Sequence, residues 1–370
     1  MNDVADEFYR GPILDYEIRR GELLRRRRVR VPQLDGGVAE AWQIVYASRS
    51  AFGAAIAASG IVIAPDQKQT PTAILVYCPA FHGLGGTENA PSQRLAAGTA
   101  LDTEAIGAAL ERGWVVVVPD GQGMGLTGLG PMRFLARAAG ARAALDAIRA
   151  VGGLQDVDWP PLPALAWGYA DGGRTAVSVA EHRTRYAPEV DLRGVAAGAV
   201  VSDLRDLVQT HDGGPWSGLG LAGMVGLSRA YSHLPLRHIL SAAGYEAVEA
   251  AEHLGVEDIR RSFPAPLDHW CVRPDPWNDP LWRYVLESER TAHESAPQVP
   301  VHLYHGTEDV LVPITQGRNL FGAYRAMAVD LSWREYTTGH ARAARAGQPE
   351  ALAQLEAFLH RKPRDAGRAT

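Results

Sequence analysis

The sequence predicts an α/β fold: a mainly parallel sheet with helices on both faces and a helical cap inserted into it. Three observations carry this. Apolar runs of strand length alternate with amphipathic helical segments, as in a sheet covered on both sides. The alternation stops near residue 205 and resumes near 298. The chain of 370 residues is long enough for one large α/β unit with an insertion. The expected division is a core of 1–204 and 298–370 and a cap of 205–297.

The first strands read as antiparallel, from RVRV through AWQIVYAS (41–48) to AAIAASGIVIAP (54–65), with alternation broken at Gly and Pro. TAILVYCPA (72–80), WVVVVPD (114–120), LPALAWGYA (162–170) and LRGVAAGAVV (192–201) read as buried strands. Between them lie helical patterns in TEAIGAALERG, in 134–151, and from Asp171 to about His182. After the insertion come VPVHLYHG (299–306), a helix from about Thr315 to Met327, strand VDLSWREY (329–336), and a last helix over Pro349–Arg361.

Composition excludes several classes. Charged residues are 21% and hydrophobic ones 46%, which rules out wholesale disorder. A net charge of −5 argues against a dedicated nucleic-acid partner. The arginine-rich run 19–30 reads as a solvated edge strand. No apolar run is long enough for stable membrane insertion. Cys78 and Cys271 read as two buried free thiols, and neither a zinc pattern nor a third ligand beside His233 and His238 suggests a metal. No cofactor is expected. The acidic N-terminus lacks a signal-peptide pattern, and the expected location is cytoplasmic.

The chemistry concentrates at Gly168-Tyr169-Ala170-Asp171-Gly172-Gly173, between a buried strand and a helix. In α/β-hydrolases this turn is G-x-S-x-G, and its glycines permit the strained bend that lifts a nucleophile above the sheet. Here the nucleophile position is Ala170, whose methyl group cannot attack a carbonyl. Two explanations stand: a serine replaced to give an inactive form, or a natural non-hydrolytic homologue. Asp171 fits the helix N-terminus, and its N–H is a candidate oxyanion donor. Asp309, after the strand 299–306, and His340, after the next strand, follow in hydrolase order as acid and base, with Glu308 the fallback acid. The glycine loop after the first parallel strand offers the Gly83 N–H as second donor, with His82 shaping the loop. His82, Tyr169 and the cap's Trp216 are candidate substrate contacts, and Trp270, Trp277 and Trp282 are further pocket candidates. Gly121–Gly125 reads as a loop at the pocket edge rather than a nucleotide-binding turn.

These pieces resemble the secretory-lipase family, the lipase-A-like α/β-hydrolases, over nearly the whole chain. Asp6-Glu7-Phe8-Tyr9, His82-Gly83 before Ala90-Pro91-Ser92, the elbow, YAPEVDLRGVAAGA (186–199), Gly306-Thr307-Glu308-Asp309 and Gly339-His340 carry the resemblance. It implies a Ser-His-Asp carboxylester hydrolase or acyltransferase whose cap covers an acyl pocket. The partner implied is a small hydrophobic ester or acyl compound. A third reading, a dead hydrolase that binds a small apolar ligand, follows from Ala170. Members often carry Cys before Ala-Pro-Ser; Asn89 stands there, so that disulfide is absent, which with the missing signal-peptide pattern supports the cytoplasmic expectation.

Overall fold

The computed structural model describes residues 6–34, 36–66, 70–154, 157–234 and 236–361. Its strands are β1 (Leu23–Val29), β2 (Val38–Arg49), β3 (Ala55–Pro65), β4 (Ala73–Cys78), β5 (Trp114–Pro119), β6 (Ala164–Tyr169), β7 (Leu192–Gly198), β8 (Val301–Gly306) and β9 (Leu331–Tyr336). They form one sheet in the order β1-β2-β3-β5-β4-β6-β7-β8-β9. The first three are antiparallel, β3 also runs against β5, and β5 onward is parallel. Among the described residues the arginine-rich strand β1 pairs with β2 alone, at the sheet edge, where charge discourages further pairing.

The helices are α1 (Pro91–Ala97), α2 (Thr103–Leu110), α3 (Arg137–Val151) and α4 (Asp171–Tyr186). Between β7 and β8 the chain forms α5 (Leu204–His211), α6 (Ser217–Ala230), α7 (Ala242–Ala251), α8 (Val256–Ser262), α9 (Leu267–Trp270) and α10 (Pro280–Ser288). Then follow α11 (Ile314–Ala326) and α12 (His340–His360). One face of the sheet is covered by the apolar sides of α3, α4 and α11. The other is covered by those of α2 and α12. The helices between β7 and β8 share a third cluster with Phe81, Phe134 and Ala170.

Two helices depart from their expected bounds. Helix α4 runs on to Tyr186 rather than stopping near His182. Helix α12 starts at His340, not Pro349, and takes that proline into its interior. A mid-helix proline costs about 3 kcal/mol. Here the buried stripe Ala343, Gly347, Ala351, Leu355 and Phe358 continues across it and outweighs that cost. A Cβ on Gly347 would lie 2.3 Å from the Tyr304 ring, so the helix approaches the sheet closely. His340 is therefore the first residue of a helix, not a member of a free loop.

A buried polar cluster ties the insertion to the core. Arg174 on α4 pairs with Glu289, just after α10, at 2.8 Å and donates to Val201 O at 2.9 Å. Arg137 on α3 pairs with Glu181 at 2.6 Å, and its backbone N–H donates to Glu289 at 2.8 Å. Tyr324 on α11 completes the set with a 2.6 Å bond to Glu181. Two arginines meet two glutamates, so each buried charge has its counter-charge.

Asp120, just past β5, takes hydrogen bonds from Ser59 Oγ, Ser92 N and Ser92 Oγ, each at 2.7 Å. Burial outweighs them and pushes its carboxyl up to about 6. The folded chain thus retains a proton that the unfolded chain, at 3.8, has released. That contribution favours the folded state at low pH and is lost as pH rises through about 6. Asp120→Asn should therefore flatten the decline in urea midpoint across that range. Arg174→Met, which leaves Glu289 without its main counter-charge, should lower the unfolding free energy by about 3–5 kcal/mol in urea titrations.

Candidate active site

The elbow is built by close backbone approach. A Cβ on Gly168 would lie 2.2 Å from Gly172 O, and one on Gly172 would lie 2.2 Å from Cys78 O. Only glycine fits at either place. Between β6 and α4, Ala170 adopts φ 55° and ψ −121°, a conformation that strains any residue with a side chain. Its N–H donates to Gly198 O and its carbonyl accepts from Arg174 N, both at 2.9 Å, so the bend is held from both sides. The Ala170 methyl borders a cavity of about 520 Å³.

His340 borders the same cavity. Its Nδ1 lies 2.6 Å from Asp309 Oδ2, and Asp309 Oδ1 accepts from Leu311 N at 2.9 Å and Val312 N at 2.8 Å. A carboxylate fixed by two backbone donors holds the imidazole with its proton on Nδ1, which leaves Nε2 as an acceptor. Among the described contacts the carboxylate that meets His340 is Asp309, not Glu308. Tyr169 donates its hydroxyl to His340 O at 2.8 Å and sets its ring edge-on to the imidazole at 4.9 Å.

Asp171, the first residue of α4, also borders the cavity. Its Oδ1 accepts the Phe81 N–H at 3.0 Å. Burial pushes this carboxyl up to about 7, against the lowering effect of hydrogen bonds from the backbone of Phe81 and from its own N–H. Arg174 and His340 also lower it.

The rest of the lining is overwhelmingly apolar, with Phe134, Leu207, Met224 and Leu286 among its members. Trp216, Trp277 and Trp282 border it. Trp270 lies outside the lining and packs against Phe263 with ring centroids 5.7 Å apart. The Arg260 guanidinium sits 4.1 Å from the Trp216 ring centroid, a cation–π contact at the cavity edge.

Three expected residues are placed elsewhere. Tyr169, expected to touch substrate, does not line the cavity and instead backs His340. His82 and Gly83 face the insertion: His82 O accepts from Val256 N at 2.9 Å, Leu84 N donates to Leu254 O at 3.0 Å, and Gly83 pairs with Gly255. His82 lines a separate cavity of about 50 Å³ with Gly121 and Met124, so that glycine loop also lies away from the large cavity. The short bridge to residues 254–256 turns this stretch toward the insertion and leaves Phe81 beside the elbow. No sequence signal marks Phe81, because a backbone donor can belong to any residue type. The bridge partners, far apart in the chain, are equally silent.

No cluster of three metal-ligating side chains occurs among the described residues. No described helix is long and apolar enough to cross a membrane.

The secretory lipase family matches residues 89–367. Lipase A of Arthroderma benhamiae is 26% identical, over 95% of this chain and 78% of its own length. A secreted triacylglycerol lipase of Malassezia furfur is 25% identical, over 90% and 71%. The crystal structure of Candida antarctica lipase A superposes with a TM-score of 0.88 at 23% identity, covering 96% of this chain and 85% of that one. This last likeness shows the fold, the α/β-hydrolase fold. The relatives are named as lipases, and the family is one of lipase- and esterase-type hydrolases.

These findings overturn the cytoplasmic location expected from the N-terminus and the missing disulfide, since the family is secretory and relatives are described as secreted. The missing disulfide carried no such information. Cys78 and Cys271 are both buried and free, and burial pushes Cys78 up and Cys271 up to about 12. Such thiols resist oxidation and need no reducing compartment. With well over half of its length matched, the chain belongs to the secretory lipase family.

Proposed function

We propose that the large cavity is a carboxylester site for a hydrophobic ester, with His340 as base, Asp309 as its orienting acid and position 170 as the place of the nucleophile. The observation that carries this reading is the 2.6 Å contact between Asp309 and His340 on the cavity that Ala170 borders. The helices of 205–297 act as the cap, and Trp216 contacts the acyl or alcohol part of the ester.

With serine at 170, His340 Nε2 takes the hydroxyl proton while Oγ adds to the ester carbonyl carbon. The N–H groups of Asp171 and Phe81 receive the developing oxyanion once the Asp171 carboxyl leaves them, and Phe81 takes the role first assigned to Gly83. The imidazolium returns the proton to the departing alkoxide, and water then releases the acid by the same route. With alanine there is no Oγ, so this covalent route is closed in the chain as it stands. Ala170 itself favours a second reading, that the chain holds an apolar ligand without turning it over.

Ala170→Ser should cleave a medium-chain p-nitrophenyl ester and take up a serine-directed phosphonate. The unaltered chain should be about a million-fold slower, the scale of removing one triad member. Adding His340→Ala to Ala170→Ser should remove both labelling and turnover. A folded Ala170→Ser protein that neither labels nor cleaves would defeat the reading.

A further inference from the structure

The polar end of the cavity is not arranged as an empty ester site. An ester carbonyl needs donors, and the two backbone N–H groups beside position 170 both point at a carboxyl already in place. Phe81 N–H donates to Asp171 Oδ1 at 3.0 Å, and the N–H of Asp171 bonds back to the same carboxyl. What Asp171 and His340 bring to this border of the cavity is acceptor capacity. A carboxylate offers about four lone-pair sites, two of which these N–H groups use. His340, with its Nδ1 proton committed to Asp309, adds Nε2 as an acceptor. Both residues border the cavity, whose other lining is mostly apolar, with His211, Glu257 and Arg260 its remaining polar members. With the Asp171 carboxyl ionised, above about pH 7, a ligand head with only acceptors, an ester or a carboxylate, would meet acceptors there, and a carboxylate would also meet a like charge.

We propose that this chain's cavity takes an apolar molecule ending in a hydrogen-bond donor, a hydroxyl or an ammonium group, held between the Asp171 carboxyl and His340. Asp171 thereby sets the chemistry of the head group, while the apolar lining takes the body. Arg174, itself paired with Glu289, and His340 act on Asp171, which also faces the Cys78 thiol. This inference rests on the reading that the cavity holds an apolar ligand. It goes beyond that reading by naming the head group.

The test is calorimetric titration of the unaltered chain at pH 8 with decylamine, 1-decanol, decanoate and methyl decanoate, four molecules with the same alkyl body. Decylamine and decanol should bind at least about tenfold more tightly than decanoate and methyl decanoate, the scale of one hydrogen bond to a charged group. Asp171→Asn removes the charge, and Asp171→Gly removes the carboxyl altogether and frees both N–H groups. Each should weaken decylamine and strengthen decanoate, so that their order reverses. A non-specific surface effect would survive both substitutions, so a preference for decylamine unchanged in both variants overturns the proposal. So does equal binding of decanoate and decylamine to the unaltered chain. If none of the four binds to any variant, the apolar-ligand reading of the cavity falls as well. Binding of all four without discrimination keeps that reading and removes this one.

Discussion

The site depends on one strained turn. Ala170 is held at a backbone conformation that favours glycine, yet it is not glycine. Three glycines around it, at 168, 172 and 173, let α4 come within backbone contact of β4, β6 and β7, and a side chain at any of them would collide with a carbonyl oxygen. Strain of about 1–3 kcal/mol at a single residue persists only when its surroundings over-determine it. Here the buried sheet and the N-terminus of α4 do so. The bend holds the position-170 side chain at the cavity although that side chain is only a methyl.

The Asp309–His340 pair is positioned without the side chain of residue 170. Asp309 is set by two backbone donors in the turn after β8, and His340 by the start of α12 and by Tyr169. Tyr169 lies in the same turn as Ala170 but holds His340. Two adjacent elbow residues thus face different parts of the site, one bordering the cavity and the other steadying the imidazole from behind. The frame does not need a hydroxyl at 170, because none of the described hydrogen bonds that orient His340 involves residue 170.

Asp171 places a carboxyl where the turn supplies backbone donors. The fold supplies backbone N–H groups beside position 170, and a carboxyl on the next residue occupies them. The N-terminus of α4 and the two donors favour its charge, and burial opposes it. The insertion is tied to the core beside this point by Arg174 and Glu289, so the cavity and its polar end share one buried electrostatic network.

The parallel sheet, the inserted helical block, the elbow and the order of Asp309 and His340 were legible in the sequence, because hydrophobic periodicity and turn glycines are local signals. The edge strand of arginines and the unpaired thiols could be read for the same reason. Tertiary structure alone decided that α12 begins at His340, since packing of Gly347 and its neighbours on Tyr304 overrides the proline. It alone turned His82 and Gly83 toward residues 254–256 and set Phe81 beside Asp171. Pairing between segments so far apart in the chain leaves no pattern in either segment. The identity of the residue at 170 was plain from the sequence; which groups face it was fixed by contacts among strands, helices and insertion, where local rules end.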